Sequence, residues 1–531
     1  MEEWWREGVL YQIYPRSFAD SNGDGIGDLR GIRDRLDHLG WLGIDGIWLN
    51  PTMPSPNEDW GYDVSDYTGV HPELGTMEDL DELIAEAGRR GMRVLLDLVP
   101  NHTSDRHAWF EEAIGDRESG RRDFYVWADP RPDGSPPNNW ESTFGGPAWT
   151  LDERSGQFYL HNFLPTQPDL NWWSEEVRDA FDEILRFWFA RGVAGFRIDV
   201  THGIVKDREL RDNPAATPED HPLVRKRGHQ QKFSMNRPEV HDVLRRWRGV
   251  AGAEDPERIL VGETYVLDLD QLMPYYGQGG DELNLAFNFL FVHAELEAAM
   301  LREIVEGIEA KLPADSWPVW TGSNHDAGRL ATRWAGGDAS RARAALMMVL
   351  TLRGTPFLYY GDEIGLLDVP LDPETALDPV ARRTGDPERN RDSFRTPMPW
   401  SAEDGAGFTD AGVAPWLPFG DTKAGDVAAQ REDRGSTLHF VRDMIALRRA
   451  EADLRVGAYA TLEAPEGAWA WQRGEGFAVA LNLGSGACEV EGLRGTVAIG
   501  TDRARDGERV EAALALAAGE GVVVRTSTAA G

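Results

Sequence analysis

The sequence predicts an α/β protein: a (β/α)8 barrel of the TIM type, with an inserted subdomain after strand 3 and a C-terminal antiparallel β domain. Three observations carry this. Eight short apolar or β-branched runs alternate with amphipathic helical stretches, the pattern of buried parallel strands joined by crossover helices. After the third run the alternation is broken by roughly seventy residues rich in Trp, Pro, Gly and Asn, far beyond an ordinary βα loop. Over the last eighty or so residues the pattern turns to short alternating runs, as in a small antiparallel sheet.

The strands follow in order as GVLYQIYP (8–15), GIDGIWLNP (43–51), MRVLLDLVPNH (92–102) and VAGFRID (193–199), then RILVGET (258–264), NLAFNF (284–289), WPVWTGSNHD (317–326) and TPFLYYGDE (355–363). Between them TMEDLDELIAEAGRRG and EEVRDAFDEILRFWFARG carry helical periodicity, with Thr opening the first and Gly closing each. The implied division is a first barrel part, 1–101, an inserted subdomain, 102–172, a second barrel part, 173–453, and a C-terminal β domain, 454–531. Two more inserts follow strand four (204–233) and strand eight (364–430). An open doubly wound sheet is the alternative arrangement of the same units.

Composition narrows the function. With 55 basic and 90 acidic side chains the net charge is −35, which repels phosphate backbones and anionic membranes, so neither nucleic acid nor a membrane is an expected partner. No apolar run approaches the length of a bilayer span. The start, MEEWWREGVLYQIYP, lacks the basic and apolar regions of a secretory signal, and Cys488 is the single cysteine, so a cytoplasmic protein without disulfides is expected. Oligomeric state is left open.

Polar residues gather at the strand C-termini, which form the working face of such a barrel. Asp97, Asn101 and His102 follow strand three, Arg197 and Asp199 end strand four, Glu263 ends strand five, and His325 and Asp326 end strand seven. Zinc-type His/Cys sets, nucleophile elbows and phosphate loops are missing from these positions. Carboxylate chemistry remains: glycosidic cleavage needs one ionised acid at the anomeric carbon and one protonated acid at the leaving oxygen. Arg197 lies two residues before Asp199 on one strand, so both face the same way and the guanidinium can orient the carboxylate.

DLVPNH, GFRIDV, VGETY and GSNHD, in that order and at these strand ends, resemble the four signature regions of glycoside hydrolase family 13, the α-amylase family. GIDGIWLNP, QPDLNW and GTPFLYYGDEIG extend the resemblance over the whole barrel. It implies Asp199 as nucleophile, Glu263 as general acid/base and Asp326 as the third carboxylate. Arg197, His102 and His325 then match residues that hold the sugar at the cleavage point. QPDLN (167–171) and NEDWGYDVSDY (57–67) resemble the exo-acting α-glucosidase and oligo-1,6-glucosidase group. That likeness implies Asp59 and Tyr62 at the terminal glucose and Arg391 of RNRDSFRTPMPW, in preference to Arg395, pairing with Asp59. In the same group a Val at the position of Val200 accompanies α-1,6 activity, while DVTHG (199–203) and the insert 204–233 depart from the group. That insert either covers the leaving-group side or is a plain surface loop. Trp48, Trp60, Trp140 and Trp172 are the aromatics close to the active-face loops.

ADSNGDGIGDLRG (19–31) spaces Asp20, Asn22, Asp24 and Asp28 like an EF-hand without its closing Glu. The resemblance implies a structural calcium or magnesium ion held by these four side chains and the Ile26 carbonyl. A retaining exo-α-glucosidase that releases glucose from short oligosaccharides or disaccharides, with transglucosylation available, is the expected activity. The alternatives are a glucosyl-transferring or isomerising relative and, from another class, a non-catalytic barrel associated with a transporter.

Overall fold

The computed structural model describes residues 3–420 and 425–527. Residues 421–424 of the insert after strand eight, and both chain ends, lie outside the described residues.

The eight expected strands are Leu10–Ile13, Gly46–Leu49, Arg93–Leu98, Gly195–Ile198, Ile259–Gly262, Leu285–Ala286, Val319–Thr321 and Thr355–Tyr359. Each pairs in parallel with its chain neighbour, except across the sixth and seventh, and the eighth returns to the first through Leu10↔Phe357. That return is a barrel and removes the doubly wound alternative. Leu10, Trp48, Leu95, Val261, Val319 and Phe357 fill the interior, while a larger layer packs strands against helices. Strand four approaches strand five so closely that a Cβ on Gly195 would lie 2.2 Å from the Ile259 carbonyl oxygen.

Register then delivers the polar residues. Asp97 is paired with Arg197 across strands three and four, and Ile198 with Gly262 across strands four and five. Asp199 and Glu263 are therefore the next pair up, each donating its amide to the preceding neighbour strand, at 2.8 Å to Leu98 and 2.9 Å to Ile198. Two acids 64 positions apart in sequence come side by side because parallel strands in register end together.

Both anticipated helices form, as Met77–Arg89 and Glu175–Ala190. The first opens on a capping box in which Thr76 and Asp79 exchange side-chain and backbone hydrogen bonds. Gly91 and Gly192 end the two in the left-handed region, at φ 79° and 91°. In the inserted subdomain Trp127–Ala128, Trp149–Asp152 and Gln157–Leu160 form an antiparallel sheet over Trp140, Trp149 and Phe158. The insert after strand four folds a helix, Pro222–Arg227, and is pinned to that subdomain by Asn139–Asn213 and Trp140–Arg211 hydrogen bonds of 2.9 and 2.8 Å. The C-terminal region forms a six-stranded and a two-stranded antiparallel sheet. Cys488 lies half-buried at its edge rather than in the core. Among the described residues no helix is long and apolar enough to cross a membrane.

Candidate active site

Arg197 is the centre on which the carboxylates converge. Its Nη1 lies 2.6 Å from Asp199 Oδ1 and 2.8 Å from Asp97 Oδ1, and its Nη2 lies 2.9 Å from Glu263 Oε2. The guanidinium is fully buried, with its Cζ 5.0 Å from the centroid of the Trp48 ring. Three carboxylates on one cation leave two charges uncompensated in a desolvated site, so the cluster retains a proton as a unit. Burial drives Asp97 up to about 6. It drives Asp199 well above the usual carboxylate range, against the pull of Arg197 and aided by Glu263 and Asp97.

Glu263 has two inequivalent oxygens. Oε2 accepts from Arg197 Nη2 and, at 2.8 Å, from the Val200 amide. A proton on Glu263 therefore belongs on Oε1, the oxygen free to meet a leaving group. The Val200 amide reaches it because Val200 is held at φ 44°, ψ 42°, a left-handed conformation that a β-branched residue rarely adopts. Gly203 permits the turn, since a Cβ there would meet Val200 Cγ1 at 2.5 Å. No guanidinium, ammonium or amide of the described residues donates to Asp199 Oδ2, which leaves that oxygen available as a nucleophile.

Asp326 sits opposite. Arg391 Nη1 and Arg395 Nη2 contact its Oδ1 at 3.0 and 2.9 Å, and His325 Nε2 its Oδ2 at 3.2 Å. Burial alone would raise its pKa, but the N–H of the His325 ring beside it and the charges of Arg391 and Arg395 together hold the carboxyl far below the usual range, so it stays ionised. Tyr62 stacks on His325 at 5.3 Å and gives its hydroxyl proton to Asp97 Oδ2 at 3.0 Å. Burial lowers His325 well below its ordinary value and His102 to about 4, so both rings are neutral.

The far end of the site is closed. Arg391 Nη2 pairs with Asp59 Oδ1 at 2.9 Å, as anticipated, and Gln167 Nε2 joins Asp59 Oδ2 and His102 Nε2, each at 3.1 Å. The structure thus brings Asp59, Tyr62, His102, Arg197, Asp199, Glu263, His325, Asp326 and Arg391 to one end of the barrel.

The family model described as alpha amylase, catalytic domain, matches residues 12–457. The chain belongs to the alpha-amylase family. A probable alpha-glucosidase of Rhizobium meliloti (strain 1021) is 44% identical over 467 residues, covering 86% of this chain and 84% of that protein. An oligo-1,6-glucosidase of Heyndrickxia coagulans is 37% identical, covering 87% of this chain and 88% of that protein. The solved structure of the alpha-glucosyl transfer enzyme XgtA superposes with a TM-score of 0.91 at 38% identity, covering 99% of this chain and 100% of its own. The protein is an alpha-amylase family glycoside hydrolase.

Several supporting residues of this family member escaped the sequence reading. Lys206, buried in the insert after strand four, pairs with Asp169 at 2.8 Å and donates to Asn101 Oδ1 at 2.6 Å. Asn101 in turn lies 3.0 Å from His102 Nδ1, so the ammonium orients the amide that orients the ring. The available signal was a lysine, a type used only five times in the chain, seven residues past Asp199. Asp378, fully buried, braces Arg391 at 2.7 Å and had no motif to mark it. Arg395 serves beside Arg391 rather than instead of it. Trp48, Trp140 and Trp172 are buried structural residues, with indole nitrogens bonded to Asp97, Arg211 and Pro100. Trp60 alone of the four is partly exposed, with its ring tilted against that of Trp416 at a centroid distance of 5.1 Å.

In the loop at 20–28, Asp20 accepts the amides of Asn22, Gly23 and Gly25 at 2.8–3.0 Å. Asn22 and Asp24 accept those of Asp24 and Ile26, and Asp28 caps the helix Leu29–Asp34 through the Gly31 amide. Among the described residues no three His, Cys, Asp or Glu side chains converge as a metal cluster, so a ring of ligands here has to include the Asn22 amide and the Ile26 carbonyl. The donors are all oxygen, and none of the three carboxylates has a salt-bridge partner among the described residues. That chemistry fits a hard divalent cation such as calcium or magnesium.

Proposed function

We propose that the protein is a retaining exo-α-glucosidase acting on short α-glucosides in the cytoplasm. Asp199 Oδ2 attacks the anomeric carbon as the C1–O bond breaks. The bonding electrons pass to the leaving oxygen, which takes the proton from Glu263 Oε1. Glu263 then removes a proton from water, whose oxygen displaces Asp199 and frees glucose with its configuration retained. A sugar hydroxyl in place of water gives transfer, a branch supported by the likeness to XgtA. Asp326 and Arg197 hold the sugar and balance charge, while Tyr62, His102 and His325 line its face with neutral groups.

The observation that carries the exo reading is the Arg391–Asp59 pair at 2.9 Å, buttressed by Gln167 and Asp378. Such a wall leaves room for one terminal glucose and stops a chain from running through. The test is product analysis on maltose, isomaltose, sucrose and a maltoheptaose. Glucose is expected as the sole early product from the non-reducing end. In Asp59→Ala, which opens the wall on the Asp59 side while Asp378 and Asp326 still hold Arg391, longer early products from maltoheptaose are expected; mixed internal cleavage by the unaltered enzyme would refute the exo reading.

We further infer that the loop of Asp20, Asn22, Asp24, Ile26 and Asp28 holds a structural calcium or magnesium ion. The loop lies against the insert after strand eight, with Asp20 N bonded to Phe408 O and Trp416 N to Gly25 O, and among the described residues none of its side chains bonds to Asp199, Glu263 or Asp326. Chelation is therefore expected to lower the melting temperature by several degrees while initial turnover of the still folded enzyme falls less than twofold. Superimposable melting curves with and without chelator would remove the ion.

A further inference from the structure

Beside Glu263, whose carbonyl oxygen lies 3.4 Å from His202 Nδ1, is a cavity of about 670 Å3 lined by His202 and Tyr265 and by none of the residues of the Asp59–Arg391 wall. Its floor is made by His202, three residues after Asp199, and Tyr265, two after Glu263; its outer wall comes from the insert after strand four, including Arg227 and Gln231. The glucose pocket, by contrast, draws on the loops after strands two, three, seven and eight. We propose that this cavity receives the leaving unit of the α-glucoside and that His202 and Arg227 read its hydroxyl oxygens, so that preferred substrates have a neutral sugar as leaving unit. The inference rests on the α-glucosidase reading and names the residues that select its substrates.

Two polar groups lining the cavity, His202 Nε2 and the Tyr265 hydroxyl, have no partner among the described residues, and a third, Arg227, has only the Gln231 side chain. His202 is only 7% exposed. Its Nδ1 is 3.2 Å from the Tyr265 amide nitrogen and 3.4 Å from the Glu263 carbonyl oxygen. An amide N–H can only donate, so the nearer contact makes Nδ1 the acceptor and leaves the ring proton on Nε2. Burial lowers the pKa to about 4, which keeps the ring neutral. Nε2–H is thus a donor on a ring that is itself nine-tenths buried, with no acceptor among the described residues, on the lining of the cavity, where a ligand oxygen can complete it.

Tyr265 is packed 4.5 Å from Phe289, and its hydroxyl likewise has no partner among the described residues. Arg227 is half-buried, touches Gln231 Oε1, and has no carboxylate partner among the described residues, in a chain of net charge −35. The lining also carries Lys232 beside Arg227 and, against these two cations, Glu219, Asp220 and Asp268; three carboxylates to two cations leave the cavity net negative, which disfavours an anion and favours an uncharged, hydroxyl-rich leaving unit over a phosphorylated one.

The test compares kcat/KM for the best disaccharide with that for p-nitrophenyl α-glucoside, whose leaving group has no sugar hydroxyls. In His202→Ala the disaccharide-to-aryl ratio is expected to fall about tenfold, the worth of one hydrogen bond at a site built to make it. His202→Gln, which keeps an N–H donor, is expected to recover most of that ratio. Arg227→Ala, at a half-exposed position tolerant of change, should lower the same ratio and also lower glucosyl transfer to added glucose relative to hydrolysis. A ratio unchanged within twofold in both alanine variants, or an equal fall on both substrates, overturns the proposal. An unaltered enzyme that releases glucose from neither substrate overturns the α-glucosidase reading itself, a different outcome.

Discussion

Asp199→Asn is expected to lower glucose release by about four orders of magnitude or more, because the amide cannot form the covalent glucosyl intermediate. The same substitution is expected to leave the melting temperature unchanged or raise it. Arg197 faces Asp97, Asp199 and Glu263 together, so ionised Asp199 is repelled by two neighbours and desolvated as well. Its folded pKa is raised. A carboxyl raised on folding binds more protons in the folded than in the unfolded state, so stability falls as pH rises from the ordinary carboxylate pKa, near 4, through the folded value. Asp97, pushed up to about 6, acts in the same direction over the same window. The gain in melting temperature of Asp199→Asn over the unaltered enzyme should therefore widen from pH 4 upward past pH 6. Calorimetry across that range, run beside the activity assay, checks both halves. A variant that is inactive and also several degrees less stable at pH 7 would contradict the electrostatic account.

The same cluster shows what sequence could and could not disclose. Strand number, order and ends were legible because each barrel strand is a short apolar run flanked by an amphipathic helix. Polar residues at the strand C-termini had nowhere to point except the open end. Asp199, Glu263 and Asp326 were within reach on that ground, and the Arg391–Asp59 pair through its motif. Side-chain traffic across elements was not legible. Lys206 orients His102 through Asn101, and Asp378 braces Arg391, by contacts between loops whose relative placement only the closed barrel sets. Aromatic residues were ambiguous in sequence for a related reason. Trp140 and Trp172 belong to active-face segments, yet their indoles turn inward to cap Arg211 and Pro100 carbonyls, because a large ring with one donor is most stable with its body buried and its N–H satisfied. The insert after strand four could be read as a surface loop until its hydrogen bonds to Asn139 and Trp140 were seen to hold it against the inserted subdomain, next to the cavity beside Glu263.

Glu263→Gln is expected to separate the two halves of the reaction. The glutamine amide keeps an oxygen that can accept from the Val200 amide and Arg197, the two donors that hold Glu263 Oε2 at 2.8 and 2.9 Å, so the site should keep its shape. What is lost is the proton on the second oxygen. Disaccharide hydrolysis, whose leaving alkoxide needs that proton, should fall about a thousandfold, within the usual range for a general acid. A 2,4-dinitrophenyl α-glucoside leaves without protonation, so its first step should proceed at a rate within about tenfold of normal. The second step then stalls, because the base that removes a proton from water is missing. A burst of dinitrophenol followed by a slow phase is expected, with the glucosyl-enzyme detectable as a mass increase of one glucosyl unit on the peptide containing Asp199. Azide, a nucleophile that needs no base, should speed the slow phase and yield the α-configured glucosyl azide, since two inversions at one carbon restore the starting configuration. Equal losses on the two substrates, with no burst, would mean that Glu263 supports the fold of the site instead of moving its proton. A β-configured azide product would mean that Asp199 shields the sugar without bonding to it.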